Sequence, residues 1–267
     1  MGIGWQTLAI RRAVWADGVG TLQEAVDYVN TLIAAEAEEM AATMKKQELR
    51  ILDVGCGVGG SLFFLAGAIH APIQGIGVTI SPRQAGIARR EARLRGLSAQ
   101  CTFLARDFTR LSGLPLFHLA LAIESFVHFA SPAAFFAPAA RSLGPEGHLF
   151  VVDDFLSGNR HSRAERRTVE AFRRGWLLSS LCTVEQAVHA AEECGLRLVQ
   201  DRDLSASLSQ SSLGARIGGW AARVMEALPV ARPYWRSTVG SLALEACRRK
   251  GLVEYHVLVF EEHKGVK

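Results

Sequence analysis

From Leu49 onward, short runs of apolar and β-branched residues alternate with longer stretches in which apolar residues recur at helical spacing. This alternation is typical of successive βαβ units and predicts a largely parallel sheet covered by helices on both faces. It therefore favours a doubly wound α/β fold. Seven strands are predicted, at 50–55, 73–80, 100–107, 117–125, 147–155, 196–204 and 252–262, the last of them antiparallel.

The predicted helices have clear start signals. Ser81 precedes Pro82, and Thr183 precedes the stretch VEQAVHAAEE, so both residues are predicted N-caps. The stretch PAAFFAPAARS, between the fourth and fifth strands, is a predicted helix in which Pro138 should cause a kink or an early start. Residues 21–44 have the apolar spacing of an amphipathic helix.

Composition is that of a globular protein. Of 267 residues, 49% are hydrophobic and 21% charged, and no stretch approaches the roughly 20 apolar residues of a membrane span. The basic pair near the N-terminus follows a short apolar stretch, which is the reverse of the order in a secretory signal. Five cysteines without a C-x-x-C pair argue against a zinc site or a disulfide framework. We therefore expect a cytoplasmic protein without a metal ion.

The basic residues are spread along the chain, with a net charge of +4 and one dense run between Arg160 and Arg174. A nucleic-acid-binding protein usually shows a broad basic stripe, so nucleic acid is not an expected partner. The arginine run itself has two interpretations that stay open at this point. It is either the solvated face of a helix or an anion site for an acidic substrate.

A glycine-rich loop, DVGCGVGG at 53–60, stands where the first strand turns into a helix. Glycines allow a close approach to a ligand, and a helix N-terminus offers N–H groups, so a nucleotide-like cofactor is predicted. Gly55, Gly57 and Gly60 also satisfy the dinucleotide pattern G-x-G-x-x-G, but no acid ends the second strand to bind a ribose. Asp53 favours a ligand with an ammonium group, because it would repel a pyrophosphate.

Several segments carry a family resemblance. ILDVGCGVGGS resembles the first motif of class I S-adenosylmethionine-dependent methyltransferases, and GIGVTISPRQ resembles the second strand of their sterol, tocopherol and cyclopropane-fatty-acid branch. ARDF and AIESFVHF resemble the third- and fourth-strand motifs, and VWADGVGTLQEA resembles the N-terminal segment of the same branch. The resemblance implies a Rossmann-like domain that binds S-adenosylmethionine.

The resemblance also implies which residues contact the cofactor. Gly55, Gly57 and Gly59 would form the binding loop, and Asp53 would meet the ammonium group. The other implied contacts are Trp15 near the sulfonium, Thr79, Ser81 and Gln84 at the ribose, Asp107 and Phe108 at the adenine, and Ser125. Acids at strand ends, and a serine before proline, also have a structural alternative as helix caps.

Glu124 and His128 are the predicted catalytic pair. They follow the fourth strand, where the open end of a doubly wound sheet places residues over the crevice. Glu124 could stabilise positive charge or remove a proton, with His128 assisting. The alternative is that Glu124 orients the cofactor and His128 is structural. Asp153 and Asp154 end the fifth strand and are either substrate or metal contacts or structural caps.

We therefore expect a single methyltransferase domain over 1–267, with an N-terminal helical cap (1–48), a cofactor-binding core (49–155) and helical substrate-cap elements (156–182 and 205–249). The expected reaction is methyl transfer to a small, largely apolar acceptor, at carbon, oxygen or nitrogen. Isoprenoid, prenyl diphosphate, quinone-like and secondary-metabolite acceptors stay open, as does a homodimer. An NAD(P)-dependent oxidoreductase, a nucleic-acid methyltransferase and a non-catalytic S-adenosylmethionine-binding protein are the alternatives.

Overall fold

The computed structural model describes residues 2–3, 10–43, 48–158, 161–208 and 233–263. The strands are β1 (Gly2–Ile3), β2 (Ile10–Arg11), β3 (Leu49–Val54), β4 (Ile73–Thr79), β5 (Cys101–Ala105), β6 (Phe117–Ile123), β7 (Leu143–Leu156), β8 (Leu196–Asp203) and β9 (Val253–Glu262). The helices are α1 (Leu22–Thr43), α2 (Gly60–Ala68), α3 (Pro82–Leu94), α4 (Pro132–Ser142), α5 (Arg163–Trp176), α6 (Val184–Glu192) and α7 (Pro233–Arg249).

Seven strands form one mixed sheet in the order β5-β4-β3-β6-β7-β9-β8. The first five of these run parallel to one another, whereas β9 is antiparallel to both β7 and β8. The direction of winding reverses between β3 and β6, and a doubly wound sheet binds its ligand beside such a reversal, at the carboxyl ends of the strands. The predicted Rossmann-like sheet with an antiparallel last strand is confirmed.

The predicted strand boundaries agree with the structure to within two residues, except at the start of the fifth strand. That strand was expected from residue 147, but β7 begins at Leu143, which already pairs with Phe117. The register then shifts before Leu119 pairs with His148. The sequence Gly-Pro-Glu-Gly is typical of a turn, and pairing with β6 draws it into the sheet as an irregular strand start.

The predicted helix starts are confirmed. Ser81 Oγ accepts a hydrogen bond from Gln84 N, and Thr183 Oγ1 accepts one from Gln186 N. At the predicted proline-containing helix, α4 begins at Pro132 and continues through Pro138. Among the described residues, no helix is long and apolar enough to cross a membrane.

Apolar side chains form two core clusters, one on each face of the sheet. Alternate residues of β3 belong to different clusters, with Ile51 in one and Leu52 in the other, because successive side chains of a strand point to opposite faces. One cluster includes side chains of α1, α2 and α3, and the other includes side chains of α4, α5, α6 and α7. Helices therefore cover both faces, as predicted.

The segment before α1 crosses the carboxyl-end edge of the sheet. Val14 is fully buried, forms a bridge with Leu208, and donates from its backbone N to Ala25 O at 2.8 Å. These contacts place Arg12 next to the strand ends. Of the predicted cap element 205–249, residues 209–232 lie outside the described residues and 233–249 form α7. The domain boundaries stay predictions.

We expect Phe126→Ala to lower the free energy of unfolding by about 3–5 kcal/mol, the usual cost of emptying a fully buried aromatic site. Phe126 is 0% exposed, and its ring centroid lies 5.3 Å from that of Phe135 and 5.8 Å from that of Phe155. Urea unfolding measures the change. Leu94→Ala, at a side chain 69% exposed, is the control and should change stability by less than about 0.5 kcal/mol. A loss below 1 kcal/mol for Phe126→Ala would contradict this account of the core.

Candidate functional site

The loop after β3 passes three times through left-handed backbone conformations. Gly55, Gly57 and Gly59 have φ angles of 76°, 54° and 89°, which residues with a Cβ rarely adopt. A Cβ at Gly55 would lie 2.4 Å from Ser125 Cβ, and one at Gly59 would lie 2.7 Å from the Phe103 ring. A Cβ at Gly57 would have no heavy atom of the described residues within 4 Å. Gly57 is therefore where the loop leaves room for a ligand.

A pocket of about 280 Å³ lies in front of this loop. Gly60 and Ser61, the first residues of α2, contribute to its wall, and the N-cap of α2 is Gly59, which has no side chain to satisfy the backbone N–H groups there. Such an end suits a polar or anionic ligand group. The predicted site residues that line the pocket are Asp53, Gly55, Gly57, Gln84, Glu124 and His128.

The polar residues at the end of β4 hold one another. Thr79 Oγ1 donates to Gln84 Oε1 at 2.8 Å and accepts from Ser81 N at 3.2 Å, while Ser81 caps α3. Gln84 is the one of the three that reaches the pocket. Thr79 and Ser81 thus have structural roles, and the ribose contacts implied for them stay predictions.

Asp107 and Phe108, the residues predicted at the adenine, are not among the residues that line the pocket. Asp107 caps the 3-10 turn Phe108–Arg110, and the hydrogen bonds that its carboxylate accepts from the Thr109 side chain and backbone lower the pKa of Asp107. Phe108 is 4% exposed and packs against Phe129 and Phe135. Their adenine contacts stay predictions, since the cap and the core position account for both residues locally.

Trp15 and Ser125 also lie outside the pocket wall. Trp15 is 40% exposed, and its backbone N donates to Ser207 O at 2.6 Å. Ser125 is buried and its Oγ donates to Val54 O at 2.7 Å, which ties the end of β6 to the end of β3. Ser125 therefore supports the glycine loop from behind.

Glu124 has an unusual backbone conformation for an acidic residue. Its φ is 52°, in the left-handed region, which costs about 1–3 kcal/mol and persists where the surrounding structure enforces it. Its backbone N donates to Val152 O, so the residue stays attached to β7. Its Oε1 accepts hydrogen bonds from Arg12 N at 3.2 Å and from Tyr255 OH at 3.1 Å. The backbone of Glu124 is therefore strained, and hydrogen bonds hold both its backbone and its side chain.

Arg12 lies at the centre of a buried charged cluster. Both of its terminal nitrogens donate to the two carboxylate oxygens of Asp154, and its guanidinium carbon lies 4.7 Å from the centre of the Tyr255 ring. Burial alone would lower the pKa of Arg12, but the charges of Asp154 and Glu124 outweigh it and raise that pKa. Arg248 approaches Asp154 from α7 at 3.8 Å. Asp154 thus lies between two arginines.

Asp153 is a buried acid in the wall of the pocket. It is 1% exposed and accepts hydrogen bonds from Val127 N and Asp154 N. Burial, and secondly the neighbouring Asp154, raise the pKa of Asp153 to about 8. Burial therefore favours the neutral form of Asp153. Within the described residues, no group of three or more His, Cys, Asp or Glu side chains is placed to hold a metal ion.

The opposite wall of the pocket is apolar. Phe172 and Trp176 come from α5, Leu178 follows that helix, and Leu244 comes from α7. His128 stands at the border between the two walls, with Nδ1 3.5 Å from Leu177 O. A ligand in this pocket would have a polar end near the strand ends and an apolar end between the helices.

The arginine run forms the outer face of α5. Arg163, Arg166, Arg167 and Arg174 are exposed, and Arg173 and Arg174 pair with Glu170 on the same helix. None of the described arginines of this run lines the pocket. The interpretation as a solvated helix face therefore fits the structure better than an anion site.

Sequence reasoning missed Arg12 and Tyr255. Arg12 belongs to the N-terminal basic pair, and Tyr255 stands in the last strand, so neither is adjacent in sequence to a recognised motif. The only local signal was a polar side chain in each case, beside Arg11 for Arg12 and between Glu254 and His256 for Tyr255. That signal gives no partner, because Arg12 and Asp154 are 142 positions apart.

Comparison with known proteins shows what the chain is similar to. The family model described as a methyltransferase domain matches residues 51–147. The 24-methylenesterol C-methyltransferase 2 of Arabidopsis thaliana is 27% identical over 235 residues, which are 84% of this chain and 60% of that protein. Residues 51–147 thus match a methyltransferase domain, as the motifs predict, and the chain is similar to sterol C-methyltransferases. It spans about 60% of the length of the first curated relatives that it matches.

Solved structures support the same fold. The cyclopropane synthase MmaA2 from Mycobacterium tuberculosis superimposes with a TM-score of 0.72 at 18% identity, covering 96% of this chain and 90% of that one. The geranyl diphosphate C-methyltransferase from Streptomyces coelicolor A3(2) superimposes with a TM-score of 0.65 at 14% identity, covering 95% and 93%. At these identities the likeness shows the fold alone.

Replacing Asp153 should change how stability depends on pH. Because an aspartate in an unfolded chain titrates near pH 3.9 and Asp153 titrates near pH 8, the folded chain binds the extra proton between about pH 4 and pH 8. The free energy of unfolding of the wild type should therefore fall as pH rises through this window. In Asp153→Asn this contribution is absent, so the stability of the variant relative to the wild type should rise by at least about 1 kcal/mol from pH 5 to pH 8.

Urea unfolding at both pH values measures this difference, and the exposed Asp17→Asn is the control. The backbone hydrogen bond that is lost in Asp153→Asn lowers the free energy of unfolding equally at pH 5 and pH 8. Only the change in the free energy of unfolding between the two pH values therefore tests the prediction. Parallel pH curves for Asp153→Asn and the wild type would contradict a protonated Asp153.

Proposed function

We propose that this chain transfers a methyl group from S-adenosylmethionine to a small, uncharged and largely apolar acceptor, at a carbon atom. The observation that carries the proposal is the two-sided pocket. One side has the glycine loop, the open N-terminus of α2 and the carboxylate of Glu124, and the other side is made of Phe172, Trp176, Leu178 and Leu244.

The residues present fit the cofactor. The bare backbone at Gly57 and the uncapped N-terminus of α2 leave space and N–H groups for a ligand, and Asp53, 2% exposed, lines the pocket beside them with a carboxylate suited to an ammonium group. Gln84 is the best supported ribose contact. When bound, S-adenosylmethionine supplies a methyl group that is already activated by a sulfonium, so the protein needs chiefly to orient the acceptor and exclude water.

Glu124 is the proposed catalytic residue. Its carboxylate lines the pocket, with a side chain 26% exposed, and it belongs to the polar half. When a double bond accepts a methyl group, positive charge develops on the acceptor and a proton must leave, so a nearby carboxylate can stabilise the charge and take the proton. His128, at the border of the two walls, would help to place the acceptor.

The proposed acceptor is uncharged. Among the described residues that line the pocket, Arg12 is the sole lysine or arginine, and its charge is paired with Asp154. No described arginine of the arginine run lines the pocket. A prenyl diphosphate would need cations for its phosphates, so sterol-like, isoprenoid or quinone-like acceptors fit these residues better. The sterol C-methyltransferases among the relatives agree with this choice.

The oxidoreductase alternative has no support from the structure or the comparisons. β4 ends in Thr79 and is followed by Ile80 and Ser81, so the acid that would bind a dinucleotide ribose is not in place. The cytoplasmic location, the lack of a nucleic-acid partner and the homodimer stay part of the proposal. Cell fractionation and gel filtration test the location and the oligomeric state.

The function is tested by incubating the purified chain with methyl-labelled S-adenosylmethionine and an organic-solvent extract of the cells that make the protein. Labelled product in the organic phase is expected, and its mass spectrum identifies the acceptor and the methylated atom. Label that remains wholly in the cofactor, with every fraction of the extract, would overturn the proposal. Label on oxygen or nitrogen would overturn its assignment to carbon.

Gly57→Ala should weaken S-adenosylmethionine binding at least about tenfold, because the added methyl group projects into space that the ligand needs. The matched control is Gly113→Ala. Both glycines have positive φ, 54° and 76°, and neither has a described heavy atom within 4 Å of an added Cβ. The backbone cost of about 1 kcal/mol is therefore shared, and only Gly57 lines the pocket. Calorimetry that gives equal affinities for the two variants would place the cofactor elsewhere.

Glu124→Gln should lower turnover at least about a hundredfold, the usual scale for acid–base participation, with S-adenosylmethionine affinity changed less than about threefold. The amide preserves size and an acceptor oxygen but removes the charge. Initial rates with the labelled cofactor, and calorimetry, separate the two effects. Weaker cofactor binding with turnover at saturation nearly intact would instead assign Glu124 to orienting the cofactor.

A further inference from the structure

We infer that Arg12 and Tyr255 are positioning residues that hold one carboxylate oxygen of Glu124 and leave the other oxygen for the acceptor. The inference rests on the proposed function, because it gives Glu124 the catalytic task. It adds two residues, from the N-terminal segment and the last strand, that no motif marks.

The contacts to Glu124 are one-sided. The hydrogen bonds from Arg12 N and Tyr255 OH, and the 4.0 Å approach of Arg12 Nε, all reach Oε1. No hydrogen bond from the described residues reaches Oε2. A carboxylate held in this way has a fixed orientation and one oxygen with unused acceptor capacity, which is what proton removal or charge stabilisation requires.

The residues that hold Glu124 are themselves fixed. Asp154, 2% exposed on β7, binds the Arg12 guanidinium through both oxygens. The Tyr255 ring lies under that guanidinium, and the Tyr255 backbone N donates to Ser205 Oγ at 2.8 Å. Groups supported by neighbouring strands hold their geometry better than groups on loops. Arg12 and Tyr255, which together hold Glu124 and are called its clamp below, are therefore anchored in β7 and β9.

The left-handed backbone conformation of Glu124 is unfavourable and must be stabilised by the contacts around it. A non-glycine residue keeps a φ of 52° only when its surroundings enforce it. The hydrogen bond from Glu124 N to Val152 O holds the backbone of Glu124 in this conformation. The hydrogen bonds from Arg12 N and Tyr255 OH hold its side chain. Loss of a side-chain bond should let the carboxylate rotate while the fold stays intact.

Tyr255→Phe is the sharpest test, because it removes the hydroxyl and keeps the ring under Arg12. The labelled-methyl assay on the cell extract should show an initial rate lower by at least about tenfold, since small misplacements of catalytic groups cost up to about a hundredfold. The calorimetric affinity for S-adenosylmethionine should change less than about threefold. A crystal structure with S-adenosylhomocysteine should show Glu124 Oε1 displaced by more than 1 Å.

Two further variants complete the test. Tyr28→Phe removes a hydroxyl from a tyrosine of α1 that packs against the same core cluster as Tyr255 but, among the described contacts, does not bond Glu124. This variant should keep the wild-type rate. Arg12→Lys and Arg12→Ala both keep the backbone donor to Glu124, and only Arg12→Lys keeps the positive charge beside Asp154. Arg12→Lys should therefore retain more activity than Arg12→Ala. A lower rate with unchanged S-adenosylmethionine affinity indicates positioning, whereas a loss of both rate and affinity indicates a purely structural role and contradicts the inference for Arg12.

The outcomes distinguish this inference from the proposed function. A wild type that transfers methyl groups, together with a Tyr255→Phe variant of unchanged rate or unmoved Glu124, overturns the inference and leaves the function standing. A wild type that transfers none overturns the proposed function. In that case the crystal structures still decide whether Tyr255 holds Glu124, and an unmoved carboxylate overturns the inference as well.

Discussion

A buried ion pair between Arg12 and Asp154 joins the N-terminal segment to the centre of the sheet. Removing two charges from water is costly, and the cost is offset here because both guanidinium nitrogens meet both carboxylate oxygens and the Tyr255 ring lies beneath the cation. Removing one partner leaves the other as an uncompensated buried charge, so replacing either residue should lower the stability of the fold. The position of Glu124, the wall of the pocket and the path of the segment before α1 all depend on this contact.

The parallel sheet explains why the other site residues meet. Asp53 belongs to β3, Glu124 follows β6, and Asp153 and Asp154 belong to β7, and these three strands are neighbours in the sheet. Their carboxyl ends lie at one edge, where the winding reverses. Gly55 and Gly59 let the loop after β3 pack closely against Ser125 and Phe103. The crevice therefore follows from topology and from the glycines together.

The two walls of the pocket differ in polarity. The polar wall comes from strand ends. The charges of its acids are reduced, because burial favours the neutral form of Asp153 and because Asp154 is paired with Arg12. The apolar wall comes from α5 and α7, elements that lie outside the family model at 51–147. A shared cofactor domain with a variable apolar wall is a general way for one fold to serve many acceptors.

Features that depend on local conformation could be predicted from the amino-acid sequence. Strand alternation, the N-caps Ser81 and Thr183, and the glycine loop follow from the backbone preferences of a few adjacent residues, so all were predicted with nearly correct bounds. The burial of Phe108, the irregular start of β7 and the contacts of Arg12 and Tyr255 with Glu124 could not be predicted in this way. Each of these depends on pairing between residues that are distant in the chain, 131 positions for Tyr255 and Glu124, and no local pattern records which distant partner a polar side chain will meet.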